Sequence, residues 1–312
     1  MLSKSVNSTA CMVLLLPLVL ASTPLYAGVW EQLREGGDCA HYQPMTAQQL
    51  GQAESLFKLM LNGTPTNEDS LRLQWAALGF ELIDLAALER TWWGLRESAI
   101  ACRGQGYYLI QQGGWGQLML QVPHANFDRY TGEIGAGMLH PGMVALAWNS
   151  ANRRLGQGTD RINADLAKRT DSLFIALTRA FVSARPQGHL IQLHGFDNQR
   201  RKTPAGADAQ AIVSAGSTWV TPAVHRVSRC LKPVLDGPIR VFPQQVTELG
   251  GIKNVQGRLL RQYGHEGFIH LELNLSARQR LGRLEVTVTI TNTGAGHHVP
   301  TDFPGRHMIL TV

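Results

Sequence analysis

The chain has 312 residues, of which 44% are apolar and 17% are charged, and this composition excludes a disordered protein because it supplies enough apolar surface for a substantial core. The formal net charge of +6 comes without any run rich in Lys or Arg, which argues against nucleic-acid binding. There is no C-x-x-C motif, so the chain offers neither a cysteine zinc knuckle nor a covalent haem attachment site.

Residues 1–27 have the pattern of a secretory signal peptide. Lys4 is followed by an apolar stretch at 10–21 and then by small residues that end at Ala27, where we expect cleavage. The apolar stretch is short for a membrane span, so we expect a periplasmic or secreted protein with no membrane span after the leader is removed. An uncleaved anchor is the alternative.

Residues 28–103 are predicted to form a helical N-terminal segment. Apolar residues recur at helical spacing in 46–62 and 68–98, which predicts a pair of helices packed before the core. Export would place the chain in an oxidising compartment, where disulfides form and persist. We therefore expect Cys39 and Cys102, which bracket these helices, to form a disulfide.

Residues 104–281 consist of short apolar runs separated by Gly, Pro and Asn, with helical stretches between several of them. This alternation predicts an α/β domain whose sheet is covered by helices on both faces. Three of the runs, at 118–122, 189–193 and 268–273, end at or carry a His or a carboxylate. Ionisable groups are therefore expected to gather where strands of one sheet end.

The first of these runs is followed by His124, Asp128 and Glu133. The strand is expected to end at Pro123, because proline cannot donate a hydrogen bond within a central ladder, so His124 would follow the strand end directly. Either carboxylate could approach the imidazole. His194, at the end of the second run, supplies the second imidazole that a zinc site with two histidines, one carboxylate and an open fourth position requires.

The third run, F-I-H-L-E-L at 268–273, predicts a strand with His270 and Glu272 on the same side. A carboxylate on a strand beside a metal can take a proton from the attacking water. We interpret Glu272 as this general base. A solvated glutamate on an edge strand is the alternative.

The order of H-A-N-F-D with T-G, then L-H-G-F, then N-V-Q-G-R and H-L-E-L resembles the carboxypeptidase-like zinc hydrolase superfamily. Its poly-γ-glutamate hydrolase, N-formylglutamate amidohydrolase and aspartoacylase branches are the most similar in style. The resemblance covers 104–281 and implies a mixed sheet flanked by helices. It also implies a zinc-dependent enzyme that hydrolyses an amide or peptide bond in a small peptide or an N-acyl amino acid.

The resemblance assigns His124 and His194 as zinc ligands and Glu272 as the general base. It leaves the carboxylate ligand open, because the superfamily commonly has His and Glu three residues apart, whereas Asp128 follows His124 by four residues and Glu133 by nine. Asp128 is the first choice because T-G follows it, as it follows the ligand in aspartoacylase-like sequences. Glu133 is the alternative ligand.

Arginines are expected to hold a carboxylate of the substrate, because a guanidinium forms paired hydrogen bonds with it. Arg258, in N-V-Q-G-R, is the first choice for the catalytic arginine. Arg153 and Arg154 follow the run at 142–148 and are candidates for substrate binding or for stabilising the oxyanion, or they form a solvated pair. Asn254 is a further candidate for substrate contact.

Residues 282–312 are predicted to form an incomplete β module. Alternation in R-L-E-V-T-V-T-I-T-N-T indicates a strand, and G-A-G-H-H-V-P-T with a later Arg resembles a β segment of multihaem c-type cytochromes. This second resemblance supports an alternative function. The protein would then be a non-catalytic or electron-transfer-associated module that docks to a multihaem cytochrome partner through its tail.

Overall fold

The computed structural model describes residues 24–282, with side chains from residue 28 onward and with gaps at 36, 64–66, 86–87, 89–91, 99, 101 and 156–162. Helices and strands alternate within these residues, and the expected α/β class is confirmed. The strands are β1 (Phe80–Asp84), β2 (Trp92–Glu97), β3 (Tyr107–Gln111), β4 (Leu118–Val122), β5 (Met143–Trp148), β6 (His189–Phe196), β7 (Ala211–Ser214), β8 (Ile239–Val241) and β9 (Phe268–Asn274). The helices are α1 (Pro24–Leu33), α2 (Ala47–Leu61), α3 (Glu68–Ala77), α4 (Thr131–Gly137), α5 (Leu173–Ala184), α6 (Pro204–Ala207), α7 (Pro222–Leu231), α8 (Val255–Gln262) and α9 (Leu275–Leu281).

The described strands form one mixed sheet, in the order β1-β2-β3-β5-β4-β6-β9-β7-β8. The central strands β5, β4, β6 and β9 run parallel, whereas β1, β2 and β3 extend one side as antiparallel neighbours and β7 is antiparallel to β9 on the other. Parallel neighbours end at the same edge of a sheet. The three runs that end in ionisable residues are therefore adjacent strands.

Successive side chains along the central strands point to opposite faces of the sheet. On one face, Leu120, Ile191 and Leu271 join an apolar cluster with residues of α1, α4, α7 and α9. On the other face, Met119 and Leu190 pack with residues of α2, α3, α5 and α8. The helices on both faces are as predicted, and the buried polar side chains of β4, β6 and β9 lie on the second face, beyond its apolar cluster.

The N-terminal segment differs from the expected helical pair. The prediction of helix through 68–98 is wrong beyond Ala77, because Gly79 has φ 82°, a left-handed conformation that commonly ends a helix. The chain then forms β1 and β2, in which Leu82 and Leu95 are register partners. Since β2 pairs with β3, the sheet continues across the predicted boundary at residue 103.

Cys39 and Cys102 form the expected disulfide, with Cα atoms 5.7 Å apart. The backbone N–H of Cys39 also donates to the carbonyl oxygen of Ser150 at 2.7 Å, just after β5. The disulfide therefore ties the chain between α1 and α2, and the loop after β2, to the end of a central strand.

Both ends of the chain lie outside the described residues. The predicted leader is described only from Pro24, where α1 begins, and among the described side chains of α1, Val29, Trp30 and Leu33 are buried. Residues 283–312, which carry the cytochrome resemblance, are outside the described part, so docking through the tail stays a prediction. In the described part, no helix has the length and apolarity needed to cross a membrane.

The guanidinium of Arg278 in α9 holds together three segments around the ends of the central strands. It donates to the carbonyl oxygens of Leu273 at 3.2 Å, Arg129 at 2.6 Å and Phe196 at 3.3 Å. A Cβ atom at Gly195 would lie 2.6 Å from the Cζ atom of Arg278, so glycine is needed in β6 for this close approach.

We expect Arg278→Met to lower the free energy of unfolding by roughly 2–3 kcal/mol, because it leaves buried carbonyl oxygens without their donor. The matched control is Arg280→Met, which removes an exposed ion pair with Asp236 and should change stability by no more than about 0.5 kcal/mol. Urea denaturation of both variants measures the difference. Equal effects of the two substitutions would contradict the assigned role of Arg278.

Candidate metal centre

Three residues expected at the site come from adjacent parallel strands. His124 follows the end of β4 after Pro123, His194 lies in β6 and Glu272 lies in β9. His194 and Glu272 are register partners across β6 and β9, so their side chains leave the same face of the sheet. The three side chains are buried.

His124, Asp128 and His194 form a compact group of possible metal ligands. The Nδ1 atom of His124 lies 3.3 Å from Oδ2 of Asp128 and 3.1 Å from Nδ1 of His194. A tight turn brings the carboxylate back, because the backbone N–H of Asp128 donates to the carbonyl oxygen of His124 at 2.7 Å. Oδ2 of Asp128 also accepts the backbone N–H of Gly195 at 2.8 Å, which links the turn to β6.

These residues fit a zinc ion. Two imidazoles and one carboxylate are a donor set that zinc prefers, and Zn–N bonds of about 2.0–2.1 Å in a tetrahedral site place ligand nitrogens roughly 3.3 Å apart. The observed separations of 3.1 and 3.3 Å are close to this value. One donor atom from each of the three residues lies within 4.8 Å of the others.

Asp165 was not identified from the sequence, although it contacts the site directly. Its Oδ1 atom lies 2.9 Å from Nε2 of His124, and Oδ2 accepts from Arg153 at 3.2 Å and from Lys168 at 3.0 Å. Burial alone would raise the pKa of Asp165, but the hydrogen bond with His124 and the neighbouring cations bring it well below its usual range. Asp165 lies in an irregular loop, and the sequence there has no periodic pattern of apolar residues from which a strand end could be predicted.

His194, His270 and Glu272 form a second group beside the first. The ring centroids of His194 and His270 lie 4.4 Å apart, with the ring planes tilted by 34°, and Nε2 of His270 lies 3.8 Å from Oε1 of Glu272. The Oε2 atom of Glu272 is buried and has no hydrogen-bond partner among the described residues. Burial, together with the charge of Asp128, raises the pKa of Glu272 well above its ordinary value.

The pKa values of the histidines in the two groups are shifted in opposite directions. Burial lowers the pKa of His194 well below its ordinary value and that of His270 to about 4, with the charge of His124 adding to both effects. Burial also opposes protonation of His124, but its hydrogen bonds with Asp128 and Asp165 outweigh burial and raise its pKa.

A cavity of about 190 Å³ opens onto both groups. Its polar walls are formed by His124, Asp165, His194, Asn254, His270 and Glu272, with Arg153, Lys168 and Lys253 supplying cationic groups. The combination of buried ligands and basic side chains can accommodate an anionic group next to a bound cation.

The structure brings four of the predicted site residues together, namely His124, Asp128, His194 and Glu272, and all of these except Asp128 line the cavity. Arg153 joins them, with Nη1 3.0 Å from Nδ1 of His124. The roles of these residues as ligands and general base stay predictions.

The other predicted residues lie apart or have different partners. Glu133 is exposed in the first turn of α4, and Arg258 is exposed on α8 and does not line the cavity. Arg154 is exposed, with its guanidinium 4.4 Å from the ring centre of Phe127. Asn254 caps α8, and its side chain donates to Gln192. Both ends of its amide are therefore hydrogen-bonded within the protein.

Comparisons of the chain with protein-family models, with curated proteins and with solved structures found no match. The resemblance to zinc hydrolases therefore rests on the motifs at 124–132, 193–196, 254–258 and 270–273 alone.

We expect the stabilising contribution of His124 in metal-free protein to decrease as the pH rises. Its pKa is raised in the folded state, so the contribution is fully present below the unfolded value of about 6.5 and is lost as the pH passes the folded value. The difference in unfolding free energy between wild type and His124→Gln, measured with chelator, should be larger at about pH 5.5 than at about pH 8.5. A difference that stays constant or grows would contradict this interpretation.

Proposed function

We propose that the protein is a zinc-dependent hydrolase of an amide or peptide bond, exported to the periplasm or secreted. The observation that carries the proposal is the buried group of His124, Asp128 and His194 next to Glu272, whose carboxylate has an oxygen without a partner among the described residues. The disulfide between Cys39 and Cys102 supports export, because such bonds persist in oxidising compartments.

His124, His194 and Asp128 would hold the zinc ion, and the carboxylate of Asp165 orients His124 from behind. When bound, zinc supplies Lewis acidity, which makes water easier to deprotonate and a carbonyl carbon easier to attack. Asp128 is preferred to Glu133 as the ligand, because Asp128 contacts His124 whereas Glu133 is exposed to solvent.

Glu272 would act as the general base and then as the general acid. Its raised pKa favours taking a proton from water and passing it to the leaving amine, since a base works best when its pKa lies near the working pH. Glu272 lines the same cavity as His124 and His194, so it would lie near a substrate held there.

Arg153 would contact the substrate in preference to Arg258. The side chain of Arg153 is about one quarter exposed and lines the cavity, and its guanidinium donates to Asp165. It can therefore stabilise the oxyanion of the attacked carbonyl or a carboxylate of a small peptide or N-acyl amino acid. Lys168 and Lys253, at the same cavity, add to the attraction for an acidic substrate.

We expect Asp128→Asn to abolish stoichiometric zinc binding, because an amide is a poor zinc ligand in place of a carboxylate. Glu133→Gln is the matched control and should bind zinc as the wild type does. Elemental analysis after zinc loading and dialysis measures both, and His124→Ala should also lose the metal. The ligand set is wrong if Glu133→Gln loses zinc while Asp128→Asn retains it, and the hydrolase proposal fails if wild type binds none.

We expect Glu272→Gln to retain zinc and its fold but to lose roughly 10²–10⁴-fold in the rate of hydrolysis, because the amide cannot accept the proton. A panel of small peptides and N-acyl amino acids provides the substrates. Glu266→Gln, at an exposed carboxylate in the loop before β9, is the control and should keep full activity. Full activity of Glu272→Gln would exclude Glu272 as the base.

A further inference from the structure

A chain of buried side-chain amides lies directly behind His194. Its members are Gln121 in β4, Gln192 in β6, and Asn254 and Gln256 at the start of α8, and all of them are buried. An amide donates at its nitrogen and accepts at its oxygen, so the hydrogen bonds at the ends of the chain determine how each amide is oriented.

The first amide of this hydrogen-bonded series is held by α5. The hydroxyl of Thr178 donates to the carbonyl oxygen of Phe174 at 2.6 Å, so it can only accept from Gln121, whose Nε2 lies 3.0 Å away. The oxygen of Gln121 must then face Gln192, and it accepts from Nε2 of Gln192 at 3.0 Å. This orientation directs Oε1 of Gln192 the other way.

Two further anchors on α8 require the same orientation. Oδ1 of Asn254 accepts the backbone N–H of Gly257 at 3.0 Å as the helix cap, so its nitrogen must donate, and it does so to Oε1 of Gln192. The nitrogen of Gln256 donates to the carbonyl oxygen of Leu166 at 2.9 Å. Its oxygen therefore faces Nε2 of Gln192, at 3.4 Å.

The oriented amide of Gln192 determines the tautomer of His194. Oε1 of Gln192 lies 2.8 Å from Nε2 of His194, and an amide oxygen can only accept, so the Nε2 atom must carry the hydrogen. In the neutral imidazole, Nδ1 then has a free lone pair. This Nδ1 atom is the one that lies 3.1 Å from Nδ1 of His124.

We propose that the amide chain holds His194 in the tautomer with hydrogen on Nε2, and that Gln192 is the positioning residue that presents the Nδ1 lone pair to the cation site. The tautomer follows from the hydrogen bonds alone, whereas its consequence for zinc affinity rests on the proposed function. Apolar packing would not impose this choice, because only a polar partner distinguishes the two ring nitrogens.

The tautomer can be read in metal-free protein labelled with ¹⁵N-histidine, from two-bond ¹H–¹⁵N correlations of the imidazole rings. His194→Gln assigns the signals by removing them. We expect wild type to show hydrogen on Nε2 only. In Gln192→Leu the Nδ1–H form should appear, because Nε2–H loses its acceptor in Gln192. A wild-type spectrum with hydrogen on Nδ1 overturns the proposal without any need for the Gln192 variant.

Gln256→Leu is the matched control, since it removes an equally buried amide while the orientation of Gln192 is still determined by Gln121 and Asn254. Its His194 tautomer should equal that of wild type, and a Gln192→Leu spectrum that also equals wild type overturns the proposal.

In zinc titrations we expect a loss of roughly 10–100-fold in affinity for Gln192→Leu and none for Gln256→Leu. Wild type that binds no zinc but shows Nε2–H would refute the proposed function and leave the tautomer assignment standing, whereas unchanged zinc affinity in Gln192→Leu would refute the role of Gln192.

Discussion

The parallel pairing of β6 with β9 is the constraint on which the rest of the site depends. Its register sets His194 beside Glu272 and Gln192 beside His270, and β4 on the other side of β6 delivers Gln121 and, beyond its end, His124. A shift by one residue would turn every one of these strand side chains to the opposite, apolar face. The register therefore determines both which side chains form the apolar core and which form the candidate site.

Burying so many ionisable groups together requires compensation, and the structure supplies it unevenly. Asp165 is matched by His124, Arg153 and Lys168, so its charge is stabilised where it lies. Oε2 of Glu272, by contrast, has no hydrogen-bond partner among the described residues, and the pKa of Glu272 is raised. Neighbouring groups whose pKa values are displaced in opposite directions are typical of sites that transfer protons, whereas a purely structural network would satisfy each oxygen.

Much of the fold was predictable from local patterns. The alternation of apolar runs with helical stretches predicted the α/β class and helices on both faces, and the runs at 118–122, 189–193 and 268–273 correspond to adjacent strands. The helical spacing of 68–98 failed because Gly79 ends α3 and tertiary pairing with β3 makes a strand of the segment that follows. Spacing alone describes one element at a time and does not report what that element pairs with.

The sequence by itself determined which residue types stand at the ends of three strands, and so the identity of His124, His194 and Glu272 as candidates. Only the tertiary structure decided whether Asp128 or Glu133 lies near His124. A turn brings Asp128 back toward His124, whereas Glu133 is exposed in the first turn of a helix. It also brought Asp165, from a loop, and the amides of Gln121, Asn254 and Gln256, from another strand and the start of a helix, into contact with the residues of the site. Contacts of this kind depend on packing between elements, which no local period in the sequence encodes.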